Sequence, residues 1–287
     1  MYPQRFNGYK WPKALLVGLL YVVFSLIAMF AVTALSRIIF GAPAASNGAT
    51  GYDGMDFYTA AGAFENGAAA ASAVPCLLLA GLIVRDRPIS SYFSSMGGWR
   101  WKVFLKSFVA VFVILGIPLI ISLLLKEKTA VRFTVPGFIL LTLFVPFQGL
   151  GEELTYRSYI TQTVSCWSKL PLVGILVQVV AFTVVHPYNI IGMMDIAISA
   201  LLYTLCCITS KGIEAPTALH IINNTTEIWM TGFGFGAISS EMTFASAAVF
   251  LVFKTLFFLF IVFADKKLHW FDEVQYDDVE RWNASHA

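Results

Sequence analysis

The chain has 287 residues, of which 58% are hydrophobic and only 13% charged, and its mean hydropathy is +0.74. That balance excludes an ordinary soluble globule and points to a polytopic membrane protein, one membrane domain filling nearly all of the length. A net charge of +2 leaves no broad basic surface for nucleic acid.

The predicted fold is all-α: a bundle of about eight transmembrane helices with a polar intramembrane cavity. Residues 1–13 form a polar, basic N-terminal segment. The apolar run 14–39 is too long for a signal-peptide core and no convincing cleavage site follows it, so it reads as a retained first span. The linker 41–67 is rich in Gly, Ala, Ser and Asn, carries Asp53, Asp56 and Glu65, and has no Lys or Arg. The second span is 68–84. After Arg85-Asp86-Arg87-Pro88, residues 90–101 lie along the interface with Tyr92, Phe93, Trp99 and Trp101 at headgroup level. The third span, 103–125, is bent by Pro118. A charged loop, 126–132, precedes the fourth span, 138–164. The fifth, 171–186, is stopped by Pro187, and the sixth is 190–208. The seventh, 213–230, is less apolar and carries Glu214, His220, Asn223, Asn224 and Glu227. The eighth is 244–264. The transmembrane domain thus runs over 14–264, with a core at 138–230, and an acidic, aromatic tail fills 265–287.

Basic residues orient the spans. With the N-terminus inside, the inner set is Arg5, Lys10, Lys13, Arg85, Arg87, Arg100, Lys102, Lys106, Lys169, Lys211, Lys266, Lys267 and Arg281, and the outer set is Arg37, Lys126, Lys128 and Arg132. Thirteen against four predicts that both termini are cytoplasmic. The short loops suggest a prokaryotic plasma membrane. Cys76, Cys166, Cys206 and Cys207 lack zinc-type spacing and read as reduced, small apolar residues. Lys254, alone in the eighth span, either snorkels or faces the bundle.

The chemistry concentrates in Gly149-Leu150-Gly151-Glu152-Glu153-Leu154-Thr155-Tyr156-Arg157, inside the fourth span. Each charged side chain at a bilayer centre costs about 2.5–3.5 kcal/mol, so these three must face protein or trapped water and pair. Glu153 and Arg157 are i,i+4 and can meet on one helix face. Glu152 is left about 100° round, without that local partner. Either the pair is a structural ion pair between helices, or the spare carboxylate is a general base in a dry site. Pro146, Gly149 and Gly151 favour local irregularity and close helix approach.

Two more apolar segments hold a histidine. Phe182 lies one turn before His186, and Asn224 lies one turn after His220 on the same face. A lone intramembrane histidine is more often a satisfied core residue. Two of them, with a carboxylate pair and an amide on three spans, form a set sufficient for hydrolysis. A carboxylate deprotonates water, imidazoles orient it and pass a proton to the leaving amine, and a carboxamide N–H donates to the oxyanion. Gln148 and Gln178 are packing or cavity groups. Glu227 shares the face of His220 and Asn224, and either lines the cavity or caps the span. Glu214 sits at a helix start, where negative charge is favoured.

Glu152-Glu153-x-x-x-Arg157, Phe182-x-x-x-His186 and His220-x-x-x-Asn224, in that order on successive segments, resemble the three motifs of the CPBP family. That family comprises CAAX prenyl endoproteases of the Rce1 type and bacterial "Abi" or bacteriocin-processing relatives. The resemblance spans about 138–230. It implies a glutamate-dependent intramembrane endopeptidase, with a cavity open to the cytoplasm and a membrane-associated or lipidated substrate. By position, Glu152 would activate water with His186, while His220 and Asn224 would bind the oxyanion. Glu153 and Arg157 would hold the motif helix, and Phe182 would pack the site. No cofactor is required by that chemistry; the alternative is a two-His, one-carboxylate zinc site at Glu152, His186 and His220. Two other functions fit buried Glu, His and Arg: a proton-coupled transporter, and a non-catalytic scaffold or immunity protein.

Overall fold

The computed structural model describes residues 2–41, 51–236, 238–272 and 278–286. Part of the expected linker, 42–50, and part of the tail, 273–277, lie outside the described residues. The described chain is all-helical. Its only extended pairings are two isolated bridges, Ser94 with Gly212 and Lys128 with Phe235. Helices α1 (Trp11–Phe40), α2 (Ala60–Val84), α3 (Trp101–Leu124), α4 (Val135–Ser168), α5 (Pro171–Val184) and α6 (Ile190–Ser210) follow in order. Then come α7 (Glu214–Gly232), α8 (Phe244–Leu268) and a short tail helix, α9 (Asp278–Ser285). Among the described residues, α1, α2, α3, α4, α6 and α8 are the six helices long and apolar enough to cross a membrane. The protein is an integral multi-pass membrane protein. Helix α5 is too short for that criterion, and α7 is too polar.

The even-numbered helices share a grammar. Each starts with a polar cap whose side chain accepts a backbone N–H: Thr59, Thr134, Asn189 and Thr243. Each ends on a left-handed residue, Arg85, Lys169, Lys211 or His269, with φ of 53°, 59°, 60° and 54°. Cationic side chains at these ends oppose the negative pole of the helix dipole. The loops accordingly sort into two ends. At one end the N-terminal segment meets the α4 terminus (Gln4 Nε2 to the Cys166 carbonyl, 3.1 Å) and α9 (Asn7 N to Asn283 Oδ1, 2.6 Å). There too the 90s loop bonds the α6–α7 turn (Ser95 N to the Lys211 carbonyl, 2.9 Å). At the other end Thr134 N donates to Tyr58 O, Thr129 N to Gly234 O and Asn189 N to Ser240 O. Both termini therefore share one end of the bundle.

Several boundaries differ from expectation. Helix α2 begins at Ala60, not 68, because Thr59 caps it and the Ala-rich run continues the helix; Asn66 is held in place by donating to the Asp56 and Gly62 carbonyls. The irregularity expected at Pro118 is taken up one turn earlier, in a π-helical turn over Phe112–Gly116. A second π-helical turn, Leu154–Ile160, starts immediately after Glu153. Helix α1 buries only Ala14, Val17 and Ser36 and is otherwise apolar and outward-facing. Helix α7 is its opposite: most of its first nine residues are buried, which explains how a helix this polar is accommodated. Its polar groups meet protein rather than lipid.

The start of α7 is anchored by a buried ion pair. Glu214 is indeed at the helix start, and it also takes Arg100 in a two-pronged contact: Nε to Oε1 at 2.8 Å and Nη2 to Oε2 at 2.7 Å. Nη2 also donates to the Ser210 carbonyl (2.7 Å). Removing one partner of such a pair leaves a buried charge unpaired. Glu214→Ala should therefore lower stability by about 3–5 kcal/mol, while Arg100→Met with Glu214→Leu should recover most of the loss. Melting in detergent reads both; equal melting temperatures for Glu214→Ala and the parent protein would contradict the assignment.

Candidate active site

Gly149 and Gly151 let three helices converge on the motif. A Cβ at Gly149 would stand 3.2 Å from Ile221 Cγ1 and 3.5 Å from His220 Cβ of α7, and one at Gly151 would stand 2.9 Å from Ala73 Cβ of α2. Just beyond, Glu153 is fully buried. Its Oε1 lies 3.1 Å from Arg157 Nη1 and 2.8 Å from His220 Nδ1. The expected i,i+4 pair is formed, and a helix distant in sequence joins it. The Arg157 guanidinium sits between two rings, 4.5 Å from the Phe182 centroid and 5.1 Å from that of Tyr203, and donates to the Ala200 carbonyl (3.3 Å). One side-chain cluster thereby joins α4, α5, α6 and α7.

Glu152 faces elsewhere, and its side chain is 20% exposed. Its Oε1 accepts from Gln148 Nε2 (3.1 Å). Its Oε2 stands 3.4 Å from His220 Nε2, too poorly aligned to count as a hydrogen bond, and has no other partner among the described residues. His220 is thus flanked by a carboxylate at each ring nitrogen.

His186 is not on a helix: α5 ends at Val184, and the imidazole hangs in the turn that follows. Its Nδ1 lies 2.6 Å from the Phe182 carbonyl oxygen. A carbonyl cannot donate, so Nδ1 carries the hydrogen, and in the neutral ring Nε2 is the free acceptor. The Phe182 ring is a wall common to both histidines, 4.5 Å from His186 and 6.2 Å from His220 between centroids. Asn224 Oδ1 accepts from Asn223 Nδ2 (3.1 Å), which leaves the Asn224 amide hydrogens available.

Two hollows meet at these groups. A chamber of about 150 Å³ is lined by Phe182, His186, His220, Asn223 and Asn224 together with Tyr52, Tyr188, Glu227 and Lys254. A side hollow of about 390 Å³ is lined by Glu152 and His186 with Tyr21, Ser25 and Met29 of α1 and Ala69 and Ala73 of α2. Tyr52, Gln148 and His186 line both and stand between them. The chamber wall reaches Tyr52, Tyr188 and Ile238, loop residues at the end away from the termini. A hollow of about 290 Å³ nearer the termini touches Arg157 but neither Glu152 nor a histidine.

A buried ion pair that the sequence motifs do not mark joins α6 to α8. Asp195 of α6 is buried and takes Lys254 Nζ at 3.2 Å, and Ser199 Oγ lies 2.7 Å from the same nitrogen. Lys254 faces the bundle. The available signal was complementary: one acid in the sixth span and one base in the eighth, each too costly to leave alone in lipid. Among the described residues no three His, Cys, Asp or Glu side chains gather as metal ligands; Glu152, His186 and His220 do not close round one point.

The two adjacent glutamates should behave differently on truncation. Glu153→Ala strips Arg157 and His220 of a buried partner and should cost about 3–5 kcal/mol. Glu152→Ala removes a partly exposed group and should change stability by roughly 1 kcal/mol or less. Melting of the two variants in the same detergent compares them directly; similar losses would contradict the division of roles.

Residues 133–226, which hold all three motifs, match the family described as type II CAAX prenyl endopeptidase Rce1-like. No curated protein and no solved structure matches the chain. The likeness of this multi-pass membrane protein to the Rce1-like, CPBP-type family of CAAX-type proteases thus rests on that matched core, where the motif residues of α4 and α7 meet.

Proposed function

We propose that the chain is an intramembrane endopeptidase that hydrolyses a peptide bond of a membrane-associated or lipidated substrate with water activated by Glu152. The observation that carries the reading is the unpartnered Glu152 Oε2, beside His220 and on a hollow shared with the free Nε2 face of His186. In this reading α5 and α7 also lie at membrane depth, shielded by their neighbours, to give eight spans, and the basic end carrying both termini is cytoplasmic.

The reaction runs as follows. Water held between Glu152 and His186 gives a proton to the carboxylate as its oxygen attacks the scissile carbonyl carbon. The carbonyl π pair moves onto oxygen, and that oxyanion accepts from Asn224 Nδ2–H and from Nε2–H of His220, whose ring carries a hydrogen on each nitrogen in this step. Collapse of the tetrahedral species breaks the C–N bond, and the proton passes from Glu152 or His186 to the leaving nitrogen. Glu153 fixes His220 through Nδ1, and Arg157 fixes Glu153; both are positioning residues. Phe182 packs both histidines. No step passes through a metal, so zinc in the purified protein together with loss of cleavage on chelation would replace this mechanism with the two-His, one-carboxylate alternative.

Proteomics of membranes from cells carrying Glu152→Ala against wild-type cells should reveal an uncut substrate. On that substrate the purified variant should lose cleavage by about 10²–10⁴, and Asn224→Ala by about 10²–10³, with both proteins folded. Normal turnover by Glu152→Ala would overturn the reading. Proton-coupled uptake in liposomes without peptide cleavage would favour a transporter instead, and biological function retained after Glu152→Ala would favour a scaffold.

A further inference from the structure

We propose that the chamber wall formed by Glu227, Asn223, Tyr52 and Tyr188 is a subsite for a cationic group of the substrate, an ammonium or guanidinium. It rests on the peptidase reading and specifies the class of substrate. Glu227 lies two helical turns beyond His220 on α7 and lines the same chamber. Its carboxylate has no ion-pair or hydrogen-bond partner among the described residues; only its main-chain carbonyl is used, by Thr231 Oγ1 (2.7 Å).

The neighbouring base does not compensate it. Lys254 is the only Lys or Arg on the chamber wall, and its ammonium is held by Asp195 and Ser199. Asp195 and Lys254 pair with each other, so among the described residues no base on the chamber wall is left for the Glu227 carboxyl. A second observation concerns hydrogen bonding: Asn223 Oδ1, on the same wall, is buried and without a partner. This part of the chamber therefore offers acceptors in need of donors, which selects a group rich in N–H. Its other surfaces are aromatic. The Tyr52 and Tyr188 rings pack with centroids 5.0 Å apart, and Phe57 joins the same wall. Carboxylate and ring faces together recognise a cation better than either alone. An unpaired carboxylate within the bundle is costly, and a matching cation relieves that cost. The rise of α7 from His220 to Glu227 is about 10 Å, so the cation falls within about three residues of the scissile bond.

The test is binding to full-length Glu152→Ala protein in nanodiscs, which reads the subsite without turnover. N-lauroyl-lysinamide should bind at least about tenfold more tightly than uncharged N-lauroyl-norleucinamide. Glu227→Gln in that background should abolish the preference, Glu227→Asp should retain it, and Glu227→Lys should transfer it to N-lauroyl-glutamate. Dodecylamine distinguishes the sources. Glu227-dependent binding equal to that of the lysine probe assigns the subsite to a free amino group, and weaker binding assigns it to a side chain. Equal affinity for the lysine and norleucine probes, or a preference unchanged in folded Glu227→Gln, overturns the proposal. Cleavage is measured separately, so loss of the peptidase reading and loss of the subsite are distinct results.

Discussion

The structure depends on the buried carboxylate of Glu153. In a low-dielectric interior a lone carboxylate is untenable, and Glu153 is tolerated because Arg157 and His220 both reach one of its oxygens. Arg157 in turn is stacked between Phe182 and Tyr203 and bonded to the Ala200 carbonyl. Each contact needs the others. The π-helical turn that begins right after Glu153 belongs to the same design, since the wider turn carries Arg157 into this ring-lined slot. Its partly exposed neighbour, Glu152, is placed by the same helix but takes no part in that anchoring.

Charge pairs are distributed along the bundle rather than gathered in one place. Arg100 with Glu214 pins the start of α7 near the termini, Glu153 with Arg157 and His220 holds the middle, and Asp195 with Lys254 ties α6 to α8. Such pairs add little net stability, but a misregistered helix would strand a charge in lipid or core. Their contribution is to the choice of one packing over others. Glu227 departs from this pattern, and its neighbours are acceptors and rings rather than donors.

The two hollows are walled by different helices. Helix α1 packs on the bundle through Val17, Leu20, Tyr21 and Phe24, and through Tyr21, Ser25 and Met29 it lines the side hollow that reaches Glu152. Helix α5 stops early, so His186 lies in a turn whose neighbouring residue Tyr188 forms part of the chamber mouth. The family match covers the α4–α7 core but not α1 or α8.

Much was legible in the residues alone. Runs of apolar residues marked the helices because lipid admits only chains whose backbone bonds are satisfied internally. The i,i+4 spacing marked Glu153 with Arg157, since local helix geometry fixes which side chains share a face. The three motifs marked the resemblance that the match over 133–226 supports. What pattern could not provide was partnership across helices: that His220 would stand between both glutamates, that Arg157 would be held by rings of α5 and α6, and that Lys254 would find Asp195. Nor could it show that His186 lies beyond its helix, or which loop residues line the chamber. Local periodicity determines the face a side chain occupies, whereas its partner is decided by how whole helices pack, and only the tertiary structure contains that information.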